Sequence, residues 1–409
     1  MNRVINHKLG FIFALAIMLP YIRAAAGASG RAVAGQPKLV YSWWRKNQRP
    51  AEAVGFASNS SAIILLHTGP EVAGVISGPP LDRFDRIVKS EMGMIGGRVS
   101  RIPHLTADEG SELSPVEHPG RLVVPRGWTI AGGIHARSAI AANGRVLAVE
   151  VRSGDGAGSV CLWSLVKHNV VSILPNPIGT SGVLPAFSPH ARHLAIGYSA
   201  ARSLGYIYIR DVRSGALEQK LKAPPGRPGW QPMAIVYLGS HRLAVLGTDR
   251  RLWIARLTGR KPALQPAPKS SVRLQANWSI GPPDAMCYIP SENQIVFTMC
   301  GLGRPSIYVC NARTGMLLRR VLLRPQQPPS TVIGLTPGAN PRQVIVAIDV
   351  FEPDLPGYFA AVDISTGKMS WRSHRISGGC TSIAVSPDGK AAITGGELGT
   401  RLWRLPSDR

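Results

Sequence analysis

The stretch that decides the fold is Thr381-Ser-Ile-Ala-Val-Ser-Pro-Asp-Gly-Lys390, followed by Ala391-Ala-Ile-Thr-Gly-Gly396 and Thr400-Arg-Leu-Trp403. It reads as strand, Ser-Pro-Asp-Gly turn, strand, short turn, strand. Pro387 presets φ for the turn, and Gly389 takes a positive φ that a Cβ would penalise by about 1–2 kcal/mol. The same grammar recurs upstream. Leu184-Pro-Ala-Phe-Ser-Pro-His190 leads to His193-Leu-Ala-Ile-Gly197 and Gly205-Tyr-Ile-Tyr-Ile209. Similar triplets begin at Ser138, Ala234, Met286 and Val332. Their first turns fall near 144, 191, 239, 292, 338 and 389, a mean step of 49 residues. A second marker keeps phase with the first: Asp211-Val-Arg-Ser-Gly215, Ala255-Arg-Leu-Thr-Gly259, Asn311-Ala-Arg-Thr-Gly315 and Asp363-Ile-Ser-Thr-Gly367 each close a third strand. The Asp or Asn accepts backbone N–H bonds in such a turn, and Gly ends it.

Third strands such as Tyr206-Ile-Tyr-Ile209 and Ile307-Tyr-Val-Cys310 are apolar on both faces. A sheet with one wet face would alternate. Four-stranded units of about 40–50 residues, shielded on both faces by their neighbours, point to an all-β propeller. Gly (44) and Pro (34) make up nearly one residue in five of 409, against roughly 12% in average chains. That punctuation suits short strands and turns.

An earlier unit starts at Val54-Gly-Phe-Ala-Ser58, with Ala62-Ile-Ile-Leu-Leu66 as its second strand. It lies too far from the next unit for one step, so residues 81–128 read as an insertion in the first blade. With it, the expectation is a seven-bladed β-propeller of four-stranded blades over 39–409. The strand Leu39-Val-Tyr-Ser-Trp43 is expected to pair with the final blade and close the ring, which removes free edges. Within the insertion, Leu81, Phe84, Ile87, Val88 and Met92 fall at helical spacing, which predicts a short helix over 82–92. Asp108, Glu109, Glu112 and Glu117, flanked by His104 and His118, read as a solvated acidic loop.

The chain resembles divergent bacterial WD-repeat proteins, and YVTN-like propellers more widely. The carrying residues are Ser386-Pro-Asp-Gly389 with Leu402-Trp403, Phe187-Ser-Pro189, and Trp163, Trp253 and Trp403 at third-strand ends. The resemblance spans 138–405 clearly and 39–66 weakly. It implies a protein-binding scaffold. The family's Gly-His dipeptide is absent, and Trp163 and Trp403 precede Ser164 and Arg404 rather than Asp, so its hydrogen-bonded tetrad is expected to be mostly lost.

The N-terminus has the order of a secretory signal. Arg3 and Lys8 precede the apolar run 10–22, and Ala24, Ala25 and Ala26 follow. The run is too short to span a bilayer as a helix. Residues 1–26 are therefore expected to be a cleaved signal peptide, 27–38 a flexible N-terminus, and the protein periplasmic or extracellular. Net charge is +24, with 47 Lys and Arg against 23 Asp and Glu. That balance fits either an anionic partner or a generally solvated basic surface. The densest patches, Arg250–Arg251 and Arg319–Arg320–Arg324, are short and lack the aromatic pattern of nucleic-acid binders.

Chemistry-bearing motifs are absent: no HExxH, no GxSxG, no P-loop and no EF-hand loop. Gly154-Asp-Gly-Ala-Gly158 lies between two strands, with no following helix to bind phosphate, and reads as a hairpin loop. His190 and His193 flank a turn and read as surface residues. Asp349, Glu352 and Asp354 match no Ca²⁺ loop. Cys161, Cys287, Cys300, Cys310 and Cys380 fit no zinc spacing and read mostly as small buried hydrophobes. The leading expectation is a monomeric, non-catalytic scaffold with protein partners, no cofactor, no metal, and neither catalytic nor cofactor-binding residues. The alternatives are a quinoprotein-like dehydrogenase or lactonase, and a binder of anionic envelope polymers.

Overall fold

The strand at Tyr206–Asp211 shows how the repeat is built. In this computed structural model it is β13, the third strand of an antiparallel sheet ordered β11-β12-β13-β14. Its partners are β11 (Thr180–Phe187), β12 (His193–Ala200) and β14 (Leu217–Lys222). The structure describes residues 37–43, 51–56, 62–67, 73–77, 120–121 and 128–130, and most of 138–406; side chains are described chiefly from Ser138 onward. Pro37–Arg409 forms one compact unit.

The architecture is an all-β propeller of four-stranded antiparallel blades. After β11–β14 come β15 (Pro232–Tyr237), β16 (Arg242–Gly247), β17 (Leu252–Arg256) and β18 (Leu264–Pro266); β19 (Met286–Ile289), β20 (Gln294–Met299), β21 (Ser306–Asn311) and β22 (Leu317–Leu322); and β23 (Ser330–Pro337), β24 (Gln343–Val350), β25 (Tyr358–Asp363) and β26 (Met369–Arg372). The last blade holds β27 (Ser382–Val385), β28 (Ala391–Gly396) and β29 (Gly399–Arg404). Its fourth strand is β1 (Lys38–Trp43), antiparallel to β29 with Leu39 opposite Trp403. The N-terminal strand thus completes the C-terminal blade. It begins at Lys38, so the stretch expected to be flexible over 27–38 does not include that residue.

Two expectations need correction. Six blades carry described side chains, not seven. The backbone of β2 (Ala51–Phe56), β3 (Ala62–His67), β4 (Ala73–Ser77) and β5 (Gly120–Arg121) forms a further four-stranded sheet. Because β5 pairs with β4, the end of the expected insertion is itself a strand, and the intervening stretch is narrower than 81–128. The blade after it also departs from the pattern. Both β6 (Trp128–Ile130) and β7 (Ser138–Ile140) pair with β8 (Val146–Ser153), so its inner strand is split in two. β9 (Gly158–Ser164) and β10 (Asn169–Pro175) complete that sheet. The signal at 1–26, the helix at 82–92, and the loop with His104, Asp108, Glu109, Glu112, Glu117 and His118 lie outside the described residues.

The core lies between blades. Val160 and Leu162 of β9 pack with Leu194, Ile196 and Tyr198 of β12. Val309 and Val321 pack with Val344 and Val346 of the next blade. Such contacts need third strands that are apolar on both faces, and the third strands β9, β21 and β25 are buried along nearly their whole length. Each fully buried aliphatic or aromatic side chain contributes roughly 1.5–3 kcal/mol. Near the outer edge, a third-strand tyrosine faces a cation on the fourth strand: the Lys220 ammonium lies 5.3 Å from the Tyr208 ring, and the Arg320 guanidinium 5.6 Å from the Tyr308 ring.

Candidate binding face

Each blade turns between its first and second strands, and every blade but the last, whose fourth strand is β1, turns at that same end between its third and fourth. In five blades a backbone hydrogen bond ties the end of the third strand to the first turn. The N–H groups of Val212, Leu257, Ala312, Ile364 and Leu405 donate to the carbonyls of Arg192, His241, Asn293, Arg342 and Lys390, each at 2.8 Å. That bond defines equivalent positions around the ring.

The first turn is held by serine in two blades. Ala191 and Gly389 donate their N–H to the Ser188 and Ser386 carbonyls. The Ser188 and Ser386 hydroxyls accept from the N–H of His193 (3.0 Å) and Ala391 (2.9 Å). Both Ala191 (φ 55°) and Gly389 (φ 69°) are left-handed. The second turn is an Asx turn in three blades. Asp211 Oδ1 accepts from the Ser214 N–H (2.7 Å), and Asn311 and Asp363 do the same. Hydrogen bonds from Ser214 hold the Asp211 carboxyl below its ordinary value, and those from Ser365 and Thr366 do so for Asp363.

These turns carry cations at matching places. The residue just before the second strand is Arg145, Arg192, Arg342 or Lys390 in four blades, and His241 in a fifth; all five are exposed. At or just beyond the end of the third strand lie Lys167, Arg213, Arg256, Arg313, Lys368 and Arg404, also exposed. Four of the nearby acids make local contacts. Asp211 and Asp363 bond their own turns, Asp388 accepts from Ser386 (2.6 Å) and the Lys390 N–H, and Glu218 pairs with His193 (3.3 Å). At the opposite end, Arg227, Arg250, Arg251 and Arg372 are half-buried and Arg401 is buried, while Arg152, Lys222 and Arg375 are exposed.

The residues singled out in the sequence do not converge. His190 is exposed in its turn while His193 sits on β12 against Glu218. Arg250 and Arg251 occupy the β16–β17 turn, and Arg319 and Arg320 lie on β22; Arg324 is outside the described residues. Asp349 lies on β24, while Glu352 and Asp354 are outside the described residues. Gly158 opens β9 where a Cβ would meet Asn176 Nδ2 at 2.6 Å, so this glycine serves close strand packing. Cys161, Cys287 and Cys310 are buried free thiols and Cys380 is buried; burial pushes the thiol pKa of Cys161 to about 11 and those of Cys287 and Cys310 to about 12. Among the described residues no three His, Cys, Asp or Glu side chains group as a metal site, and no helix is long and apolar enough to cross a membrane. The tryptophans diverge: Trp403 Nε1 donates to Thr394 Oγ1 (2.9 Å), Trp253 Nε1 to Asp249 Oδ1 (3.1 Å), and Trp163 Nε1 is buried without a partner.

The sequence reading missed one buried carboxyl. Glu150 on β8 is 2% exposed. Burial raises its pKa above the ordinary 4.5, and the Arg152 guanidinium at 3.6 Å opposes the rise. The folded protein then holds this proton more tightly than the unfolded chain. Its contribution to stability is full below the unfolded pKa and is lost as pH rises through the folded value. Glu150→Gln should therefore lose less stability than the wild type between pH 4.5 and 7, as read from urea midpoints at both values.

No protein-family model and no curated protein matches this sequence. Solved structures do. A chain in the crystal structure of a mitotic checkpoint complex aligns with a TM-score of 0.58 at 13% identity, over 93% of this chain and 96% of that chain. At that identity the likeness shows the fold alone. The fold is common to 1398 matching chains and so does not select a function.

Proposed function

We propose that this chain is an exported, non-catalytic binding scaffold of WD-repeat type, resembling bacterial members, whose partners are proteins. The observation that carries the reading is the turn end: a rigid ring holds exposed side chains at equivalent positions in successive blades, on loops fixed by their own backbone bonds. Function on rigid folds concentrates in such loops. The similar solved chain comes from a structure titled as a complex, which agrees with an assembly role. Export rests on the charged, apolar, small-residue order of residues 1–26.

We also infer that β2–β5 is a seventh blade. In support, the backbone of β2 adjoins β27 and β28 on one side and β7 on the other, the position of an inner strand between the last blade and the split one.

Immobilised mature protein, incubated with envelope extract, should retain a defined protein that soluble protein competes away. Retention of none, together with stoichiometric metal or quinone absorbance in the purified protein, would favour the enzyme reading.

A further inference from the structure

We infer that the turn end is the docking surface and that its partner is an acidic protein segment carrying apolar side chains. This rests on the scaffold reading and gives it a face and a ligand chemistry. Six blades contribute exposed cations there, mostly arginine, whose planar fork suits carboxylates. The ten exposed lysines and arginines at this end outnumber its five described acids, Asp211, Glu218, Glu292, Asp363 and Asp388, and Asp211 already acts on Arg192. In the linear sequence these cations are about fifty residues apart and form no run; the repeat brings them to one end.

The second observation is apolar. The residue that opens the fourth strand is Leu217, Leu317 or Met369 in three blades, each opposite a third-strand residue at the same bulge. Leu217 is 47% exposed, Met369 40%, and Met316, beside Leu317, 45%. Each stands within a few residues of a turn cation, Arg213, Arg313 or Lys368. A sulfated polysaccharide or a nucleic acid would satisfy the cations and leave these side chains unmatched. Among the described turn residues at this end there is also no exposed aromatic ring for base or sugar stacking. An acidic segment with interspersed leucines satisfies both.

The test uses the mature protein and three fluorescent probes: a peptide alternating glutamates with leucines, a poly-glutamate peptide, and a sulfated polysaccharide. The leucine-containing peptide should bind tightest and weaken about tenfold or more between 50 and 300 mM salt. R192E/R342E should cost about tenfold in affinity. K222E/R375E, equal in charge but at the opposite end, should cost less than threefold. M316S/M369S should weaken the leucine peptide and leave poly-glutamate unchanged. Equal losses from the two charge reversals would overturn the face; tightest binding of the polysaccharide, indifferent to M316S/M369S, would overturn the protein partner. Should R192E/R342E still capture the same protein from envelope extract, the scaffold reading stands and this inference fails.

Discussion

Phe359→Ala should lower stability by about 4 kcal/mol, within the roughly 3–5 kcal/mol range for truncating a buried phenylalanine. Phe359 is 0% exposed on β25 (Tyr358–Asp363). Its ring meets Trp403 of the last blade edge-on, with centroids 5.1 Å apart at 70°, and Trp371 at 5.8 Å and 87°. Ile345, Ala347, Ala392 and Leu405 complete this cluster between two blades. The cavity would open at a blade interface where backbone on both sides is fixed by ladders, so collapse is limited. The readout is the urea or thermal midpoint. A loss under 1 kcal/mol would mean that the last two blades do not pack through this ring.

Gly389→Ala should cost about 3 kcal/mol, from two separate causes. The left-handed backbone (φ 69°) carries a penalty of about 1–2 kcal/mol for any Cβ. The new methyl would also lie 2.2 Å from the Ala339 Cβ and 2.8 Å from its Cα, in the first turn of the preceding blade, and overpacking adds about 1–3 kcal/mol. Ala191 separates the causes, because it already holds a side chain at φ 55° in the equivalent turn. Ala191→Gly relieves only the dihedral and gives back unfolded-chain entropy, so it should change stability by less than about 1 kcal/mol. The same denaturation midpoints check both. Equal effects at the two positions would show that the Ala339 contact is not rigid.

The repeat was legible because two turn markers kept phase, and because Tyr206–Ile209 and Ile307–Cys310 are apolar on both faces. The burial of Cys161, Cys287 and Cys310 followed from the same apolar runs. β1 was legible because Leu39–Trp43 had no other sheet to join. The split inner strand of β6 and β7 was not, since Trp128–Ile130 is only three residues long and straddles the end of the insertion expected over 81–128. β5 was missed for the same reason: two residues, Gly120–Arg121, carry no periodicity. The cation ring was hidden by distance along the chain. Arg192 and Arg342 look like scattered surface charges until the shared backbone bond places them at one position of the repeat. Glu150 gave no signal, because a single glutamate in a strand looks the same whether it faces water or a neighbouring blade.

The measurement that bears most directly on the closed ring is native hydrogen exchange across β1. The amides of 38–43 that face β29 should exchange as slowly as those of β28 and β29, because β1 is the fourth strand of that blade. Exchange of 38–43 at the rate of an unstructured tail, with β28 and β29 still protected, would contradict the closure and the propeller account built on it.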